Sequence, residues 1–502
     1  MKKIISLLPV FIVLVAVNNS NAQGIINTLG SGGTFSVKDN SSTFLSVSQS
    51  NGTISIISPF EGNQRGSIFK GTNRFLHTYY GTGANGHNTF LGLYSGNFTM
   101  SGTGTQSSYN TGIGEYSLNM LSTGHSNSAL GYNSLGSNNT GYENSAFGAY
   151  SLIFNSAGYK NSAFGYNALY TNELGDHNSA FGHSSLYSNT ASNNSAYGFE
   201  SLYSNTSGHD NSAFGYKSMR ANTTAWDNAA FGDLSLMSNL TGVRNSAFGS
   251  ATLAANTYGE YNSAFGVAAL GANGYGNRNS SFGSESMMLN TSGNWNSAFG
   301  NESLWNNLTG DGNTAVGNYA LYNSVGDFNT AIGDSSGTTI ISGSNNISIG
   351  HKATVPNGLS SNQVRIGNTS ITYAGVQVAW TITSDSRYKD NIITSPLGLN
   401  FISKLRPVLY TRKNDESKKT EFGLIAQEVE DVLKQEGIED SGLLTITDEG
   451  MYELRYNDLF APMIKAIQEL KKENEELKVR LTKLEENSKN KQVREVKLIG
   501  NH

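Results

Sequence analysis

Cysteine is absent from the chain of 502 residues. Its absence excludes disulfides, thiol nucleophiles, cysteine-ligated zinc and a lipid-modified N-terminal cysteine. Charged residues make up only 14% of the chain, where about 25% is usual, and the net charge of −5 is not the basic field that nucleic-acid binding needs. No two of the eight histidines have the i, i+4 spacing of a helical zinc site. We therefore expect no metal, no cofactor and no nucleic-acid partner.

Glycine and aromatic residues are plentiful instead, with 57 Gly, 25 Tyr and 23 Phe. This composition is not that of a disordered tail. Charge is concentrated at one end, because residues 384–502 hold 20 of the 33 basic and 22 of the 38 acidic residues. The chain therefore has two chemically different parts, with a boundary near residue 380.

The N-terminus has the layout of a secretory signal peptide. Two lysines precede an apolar run over 4–17, and small residues end at Ala22. The alternative is a membrane anchor, but the run contains Pro9 and is shorter than the ~20 residues of a spanning helix. We predict a signal peptide over 1–22 and a mature protein that is secreted or displayed at the cell surface, without a membrane span.

Between residues 88 and 350 the chain repeats a unit of 17 residues, N-S-A-F-G-x-x-S-L-x-x-N-x-x-G-x-x. One copy begins at Asn161, with Leu169 and Asn172 at the later positions. The first Asn recurs sixteen times, and a Gly follows it four residues later in every copy, from Gly92 to Gly350. A fixed period of this kind is typical of one supersecondary unit stacked on itself.

Seventeen residues suit one coil of a β-solenoid with two short strands and two turns. We predict the first strand at N-S-A-F, ended by a Gly with positive φ, and the second at x-S-L-x, followed by a turn at N-x-x-G. Sixteen coils stacked at ~4.8 Å would form a rod of roughly 75 Å. Adjacent Ala and Phe point to opposite faces of the strand. One face can fill the coil, and the other needs a partner, for which further copies of the chain are the simplest source.

The N-S-A-F-G pentamer resembles the head repeats of trimeric autotransporter adhesins and the related repeats of phage tail fibres. The resemblance covers about residues 88–350 and implies a trimeric parallel β-roll, although the unit is longer than the usual adhesin repeat. Before it, residues 23–87 contain strand-like stretches and are predicted to form a β-rich cap. After it, residues 351–383 are predicted to form a last β-coil and a connector.

Two other patterns invite an enzymatic interpretation. Residues 81–86 match the GxGxxG of dinucleotide sites, but a β-repeat follows them where such a site needs a helix. Acidic residues recur near the second turn of many coils and could bind cations or act as an acid–base pair on a polysaccharide. A solvated edge explains them as well, and we favour it. These residues are Glu143, Asp176, Asp210, Asp227, Glu260, Asp311 and Asp327.

Four motifs follow one another in the charged C-terminal part. They are S-D-x-R-x-K at Ser384, Asp385, Arg387 and Lys389, L-R-P-V from Leu405, F-G-L-I-A-Q-E-V from Phe422 and Y-N-D-L from Tyr456. Together they resemble the intramolecular-chaperone auto-processing domain of phage endosialidases and tail spikes, over about residues 384–486. We predict a small α+β chaperone domain over 384–459.

The resemblance implies that this domain trimerises, helps the preceding fibre to fold and then cuts itself off. It places the scissile bond between Thr383 and Ser384, with Ser384 as the nucleophile and Lys389 as the general base. Asp385 and Arg387 could orient the turn through an ion pair.

The residue types agree with a serine–lysine pair. No histidine lies between residues 382 and 500, so a lysine is the remaining base that can serve a serine within this domain. Such a lysine needs a lowered pKa, which only a packed and partly dry site provides. Cleavage would therefore depend on correct assembly.

Apolar residues over 460–488 follow a heptad pattern that predicts a trimeric coiled coil, with a polar tail over 489–502. The core positions are Phe460, Ile467, Asn474 and Leu481 at a, and Met463, Leu470, Leu477 and Leu484 at d. The alternative is an amphipathic helix packed on its own domain.

These patterns predict an exported, adhesin-like homotrimeric fibre that autocleaves once, as a serine endopeptidase acting on its own chain. A cell-surface glycan or protein is a candidate receptor. Two alternatives stay open. The fibre could also bind or degrade polysaccharide, or it could be purely structural, with an inactive chaperone domain.

Overall fold

A computed structural model describes residues 34–38, 43–48, 54–56, 67–70 and 73–499 of the chain. The predicted signal peptide lies outside these residues, as does part of the predicted N-terminal cap. Strands β1 (Thr34–Lys38), β2 (Thr43–Ser48) and β3 (Ile54–Ile56) form an antiparallel sheet within the cap.

A long parallel β-solenoid follows, as the repeat predicts. Its first three strands pair antiparallel, and every later pair is parallel with equivalent residues opposite one another. The strands are β4 (Ile68–Lys70), β5 (Asn73–His77), β6 (Thr89–Leu91), β7 (Thr111–Ile113), β8 (Ser128–Leu130), β9 (Ser145–Phe147), β10 (Ser162–Phe164), β11 (Ser179–Phe181), β12 (Ser195–Tyr197), β13 (Ser212–Phe214), β14 (Ala229–Phe231), β15 (Ser246–Phe248), β16 (Ser263–Phe265), β17 (Ser280–Phe282), β18 (Ser297–Phe299), β19 (Thr314–Val316), β20 (Thr330–Ile332), β21 (Ile347–Ile349) and β22 (Val364–Ile366).

Each repeat contributes one strand, and the predicted second strand at x-S-L-x is wrong. In the coil that starts at Asn161, Asn167 and Leu169 have φ angles of 57° and 54°, which an extended strand does not allow. The amide of Leu169 nevertheless donates to the carbonyl of Ser185 in the next coil, at 3.0 Å. The segment therefore keeps the hydrogen bonds between coils while its bent backbone directs Leu into the interior.

Two ladders of buried Asn side chains join the coils. Asn161 donates from its amide to Oδ1 of Asn144 at 3.0 Å, and from Nδ2 to the carbonyl of Gly175 at 2.8 Å. Asn172, in the second ladder, donates from Nδ2 to Oδ1 of Asn155 at 3.1 Å and to the same Gly175 carbonyl at 2.9 Å. Because buried polar groups need partners, the repeated Asn satisfies backbone groups that the narrow coil cannot pair otherwise.

The interior is filled by small and aliphatic side chains. The middle strand residue, usually Ala, and the Leu or Met of the bend are buried in coil after coil, as Ala163 and Leu169 illustrate. The third strand residue points outward instead. We call these residues, from Leu91 to Ile366, the outer column. Between Phe147 and Phe299 its rings stack with centroids 4.5–5.0 Å apart and planes within 7°.

A buried histidine lies near the N-terminal end of the solenoid. The His77 ring is 1% exposed and its Nε2 lies 2.7 Å from the carbonyl of Ser95. Burial, assisted by the nearby Arg74 charge, lowers the pKa of His77 from 6.5 to about 4. Between these values an unfolded chain binds a proton that the folded chain does not, so stability falls as the pH drops.

We expect the free energy of unfolding at this end to fall by about 3 kcal/mol between pH 7 and pH 4 because of His77. Hydrogen exchange of residues 73–118 across that range, corrected for the intrinsic effect of pH, measures it. His77→Gln should remove this loss of stability, whereas His125→Gln, at a ring that is only partly buried, should leave it in place. Equal pH dependence in wild type and His77→Gln contradicts the assignment.

The C-terminal part is a small α+β module, as predicted. It contains α1 (Leu399–Lys404), α2 (Ala426–Gln435), the hairpin of β23 (Val408–Thr411) and β24 (Thr420–Gly423), and the hairpin of β25 (Leu444–Ile446) and β26 (Tyr452–Leu454). Its core consists of Phe401, Val429, Val432, Leu433, Leu443 and Leu459.

Helix α3 (Phe460–Ile499) ends the described chain and continues through most of the segment that we predicted as a polar tail. Its first turns pack on the module, where Glu469 accepts a hydrogen bond from the amide of Leu399 at 2.7 Å. The predicted heptad core is exposed, with Ile467 at 65% and Leu484 at 64%. Among the helices of the described residues, none combines the length and the apolar character that crossing a membrane requires.

Candidate functional site

The predicted cleavage site lies at the start of the C-terminal module. A short 3-10 turn, Ser386–Tyr388, folds the chain back so that Ser384 and Lys389 meet. The ammonium Nζ of Lys389 donates a hydrogen bond to Oγ of Ser384 at 2.7 Å. This distance lies within the range that joins a nucleophile to its base.

The two other motif residues hold the turn. The Asp385 carboxylate caps the turn by accepting from the amide of Arg387 at 2.9 Å, and it pairs with the guanidinium through Nε at 3.1 Å and a second nitrogen at 2.7 Å. The hydrogen bonds from Arg387 lower the pKa of Asp385 below its usual value. The ionised pair therefore lies within the turn that brings residues 384 and 389 together.

Within one chain the site is open to solvent. Ser384 and Lys389 are both exposed, and the apolar side chains beside them are uncovered, with Ile382 at 69% and Tyr388 at 82% exposed. The single chain thus brings the two reacting groups together without the dry surroundings that a lysine base needs.

Three of the acidic residues of the coils belong to a third hydrogen-bonded row. Asp311 accepts from the amide of Asn294 at 2.6 Å, Asp327 accepts from the amide of Asp311 at 2.8 Å, and Asp176 accepts from the amide of Tyr159 at 2.9 Å. These carboxylates tie adjacent coils together. Among the described residues, no group of three or more His, Asp or Glu side chains could hold a metal ion.

Sequence analysis missed one contact between the module and the solenoid. The β25–β26 hairpin of the module meets the last coil of the solenoid, where a guanidinium nitrogen of Arg365 lies 2.6 Å from Oε1 of Glu453. A charged residue in the middle of β22, at a position that is small in the preceding coils, is the signal that could have revealed it.

The chain is thus a parallel β-solenoid with a small α+β module at its C-terminal end. Residues 384–438 match the family model described as chaperone of endosialidase. The matched segment contains the serine–lysine turn, the first hairpin and α2. Neither a search of curated proteins nor one of solved structures found a significant match.

Proposed function

We propose that the protein is an exported, trimeric fibre whose C-terminal module assembles three chains and then cuts the bond between Thr383 and Ser384. The observation that carries the proposal is the 2.7 Å contact between Lys389 Nζ and Ser384 Oγ, at the first residue of the segment that matches the chaperone family. The predicted signal peptide would bring the chain to the secreted or cell-surface location of such a fibre.

The proposed reaction begins when Lys389, as a neutral amine, takes the proton of the Ser384 hydroxyl. Oγ attacks the carbonyl carbon of Thr383, and the bond from that carbon to the Ser384 nitrogen breaks. The proton passes from Lys389 to the leaving nitrogen, which becomes the new N-terminal amine. Water then hydrolyses the ester between Thr383 and Ser384, which leaves a carboxylate on Thr383 and restores the hydroxyl.

Three apolar surfaces that are exposed or half-exposed in the single chain support a trimer. They are the outer column, the heptad face of α3 and the connector, in which the large apolar residues Val376, Val378, Trp380 and Ile382 alternate with small or polar residues and are all exposed. Alternation of this kind is typical of a strand with one buried face. Other copies of the chain would cover all three surfaces at once and would dry the site of Ser384 and Lys389.

The outer column gives a direct test of assembly. We expect the double variant Phe231→Lys/Phe248→Lys to weaken trimer formation by at least ~10³-fold, because burying each ring contributes ~1.5–3 kcal/mol in every chain. Sedimentation velocity on the purified protein measures the assembled mass. The matched control is Tyr258→Lys/Tyr275→Lys, which alters a stacked pair on the second turn, where the rings are 47% and 62% exposed. Trimers that persist unchanged in the Phe variant contradict this interface.

Polysaccharide binding along the outer column is the weaker candidate. The faces of its rings are covered by the neighbouring rings, so the column presents edges. A sugar ring packs against an aromatic face, which this arrangement does not offer. A partner that covers edges, such as a second protein surface, fits the column better.

A further inference from the structure

The last coil of the solenoid differs from the others at the position that points inward. From Gly112 to Ser348 the middle residue of every strand is Gly, Ala or Ser, and in β22 it is Arg365. The small residues allow one coil to stack on the next. A further coil on β22 would have to bury the Arg365 charge, which is costly without a partner.

The module supplies that partner. The guanidinium of Arg365 donates to Oε1 of Glu453 at 2.6 Å, and its Nε donates to the carbonyl of Thr354 at 3.2 Å. Glu453 lies in β26, 88 residues further along the chain. Arg365, in the last coil, is thus paired with a residue that lies beyond the predicted cleavage site in the sequence.

The tip of the same hairpin binds the backbone of the last coil. The amide of Asp448 donates to the carbonyl of Pro356 at 2.7 Å, and its Oδ2 accepts from the amide of Gly358 at 2.9 Å. The Pro356 carbonyl and the Gly358 amide lie at the C-terminal end of the solenoid, where no further coil stacks. The hairpin gives them the donor and acceptor that another coil would have given.

The hairpin is held on the last coil by hydrogen bonds and one ion pair, beside an open cleft. A cleft of about 960 Å³ separates the hairpin from the last coil, and it is lined by His351, Lys352, Thr369, Arg412 and Met451 among others. The interface therefore depends on a few charged hydrogen bonds, which dissolved salt can weaken.

We propose that the β25–β26 hairpin is a removable cap on the C-terminal end of the solenoid, and that the partner it fits is the last coil of its own fibre. The cap holds the module on the fibre after the chain is cut, until these polar contacts open. The capping contact is independent of cleavage, whereas retention after cleavage rests on the proposed function.

The capping contact is tested in the full chain with Ser384→Ala, which keeps the polypeptide intact. Hydrogen exchange of residues 353–367 is measured with and without Glu453→Gln. We expect exchange there to become about tenfold faster when the charged hydrogen bond is lost. Glu449→Gln is the matched control, because Glu449 lies on the same hairpin and, within the described structure, makes no hydrogen bond with the last coil. Exchange that is unchanged by Glu453→Gln overturns the proposal.

Swapping the charges of residues 365 and 453 distinguishes loss of the ion pair from a general loss of folding. Arg365→Glu should speed exchange in the last coil as Glu453→Gln does, and adding Glu453→Arg should restore at least half of the protection. If the double variant is no better protected than Arg365→Glu, the pair does not hold the cap and the proposal fails.

Retention is tested in the chain with Ser384 intact, by gel filtration of the cleaved protein at 50 mM and 1 M NaCl. We expect the fragment of residues 384–502 to elute with the fibre at low salt and to separate from it at high salt. Separation at low salt overturns retention. If no fragment forms, the proposed cleavage is wrong, and the exchange experiment on the uncut chain still decides whether the hairpin is a cap.

Discussion

Ser384→Ala should leave the chain as one uncut polypeptide, whereas the wild type should release a fragment whose first residue is Ser384. The substitution removes the Oγ atom that accepts the Lys389 hydrogen bond at 2.7 Å. Loss of a nucleophile or its base typically slows such reactions by roughly 10³-fold or more. Denaturing electrophoresis with N-terminal sequencing of each band measures the outcome.

Lys389→Arg sharpens this experiment. Arginine keeps the positive charge but does not give up a proton, so it can replace lysine as an ion-pair partner and not as a base. We expect Lys389→Arg to be uncut. The control is Ser386→Ala, because Ser386 is an exposed serine of the same turn, and this variant should be cut normally. Normal cutting of Ser384→Ala or Lys389→Arg, or a fragment that starts elsewhere, contradicts the assigned pair.

Gly266→Ala should destroy the solenoid fold around its coil. Gly266 has a φ of 132°, and a Cβ atom there would lie 2.4 Å from the carbonyl oxygen of Gly283 in the next coil. Both the backbone conformation and the contact forbid a side chain. We expect the free energy of unfolding to fall by more than about 4 kcal/mol, measured by circular dichroism during unfolding in denaturant.

Gly274→Ala is the matched control in the same coil. A Cβ atom at Gly274 would lie 3.8 Å from its nearest neighbour, the carbonyl oxygen of Thr291, and this glycine does not need a positive φ. We expect its effect on stability to stay within about 1 kcal/mol. Similar losses in the two variants would show that the repeated glycine is not required for the stacking of coils.

The stacked architecture could be predicted because stacking requires the same residue types at the same positions of every coil, which makes the sequence periodic. The Asn of the ladder must sit above another Asn, and the Gly must sit above another Gly, so both recur at the spacing of one coil. Asn161 and Gly165 are examples whose partners lie one repeat away. Strand alternation predicted that Ala and Phe point to opposite faces, and the structure shows that Ala is the one that fills the coil.

The bend at Leu169 could not be predicted in the same way. An apolar residue with polar neighbours matches a half-buried strand, and a left-handed conformation is uncommon for a bulky residue. Here the buried Leu contacts and the hydrogen bonds to the next coil compensate for that strain. Only the stacked neighbours provide this compensation, so a single repeat does not reveal it.

In the candidate site, too, one feature could be predicted from the sequence and another could not. The resemblance of the four C-terminal motifs to the auto-processing domain predicted the pair of Ser384 and Lys389, and the turn capped by Asp385 explains how the two side chains meet. The contact of Arg365 with Glu453 joins two segments that no motif connects. Long-range pairing of that kind depends on how the module sits on the solenoid, which local sequence patterns do not record.

The in-register pairing of the coils also bears on how such a fibre can change over evolutionary time. Equivalent residues face one another from strand to strand, as Ala230 does with Ala247. Duplication or loss of one whole repeat therefore recreates the same neighbours on both sides of the junction. The reach of the fibre can in this way be lengthened or shortened by gene recombination, without redesign of either end.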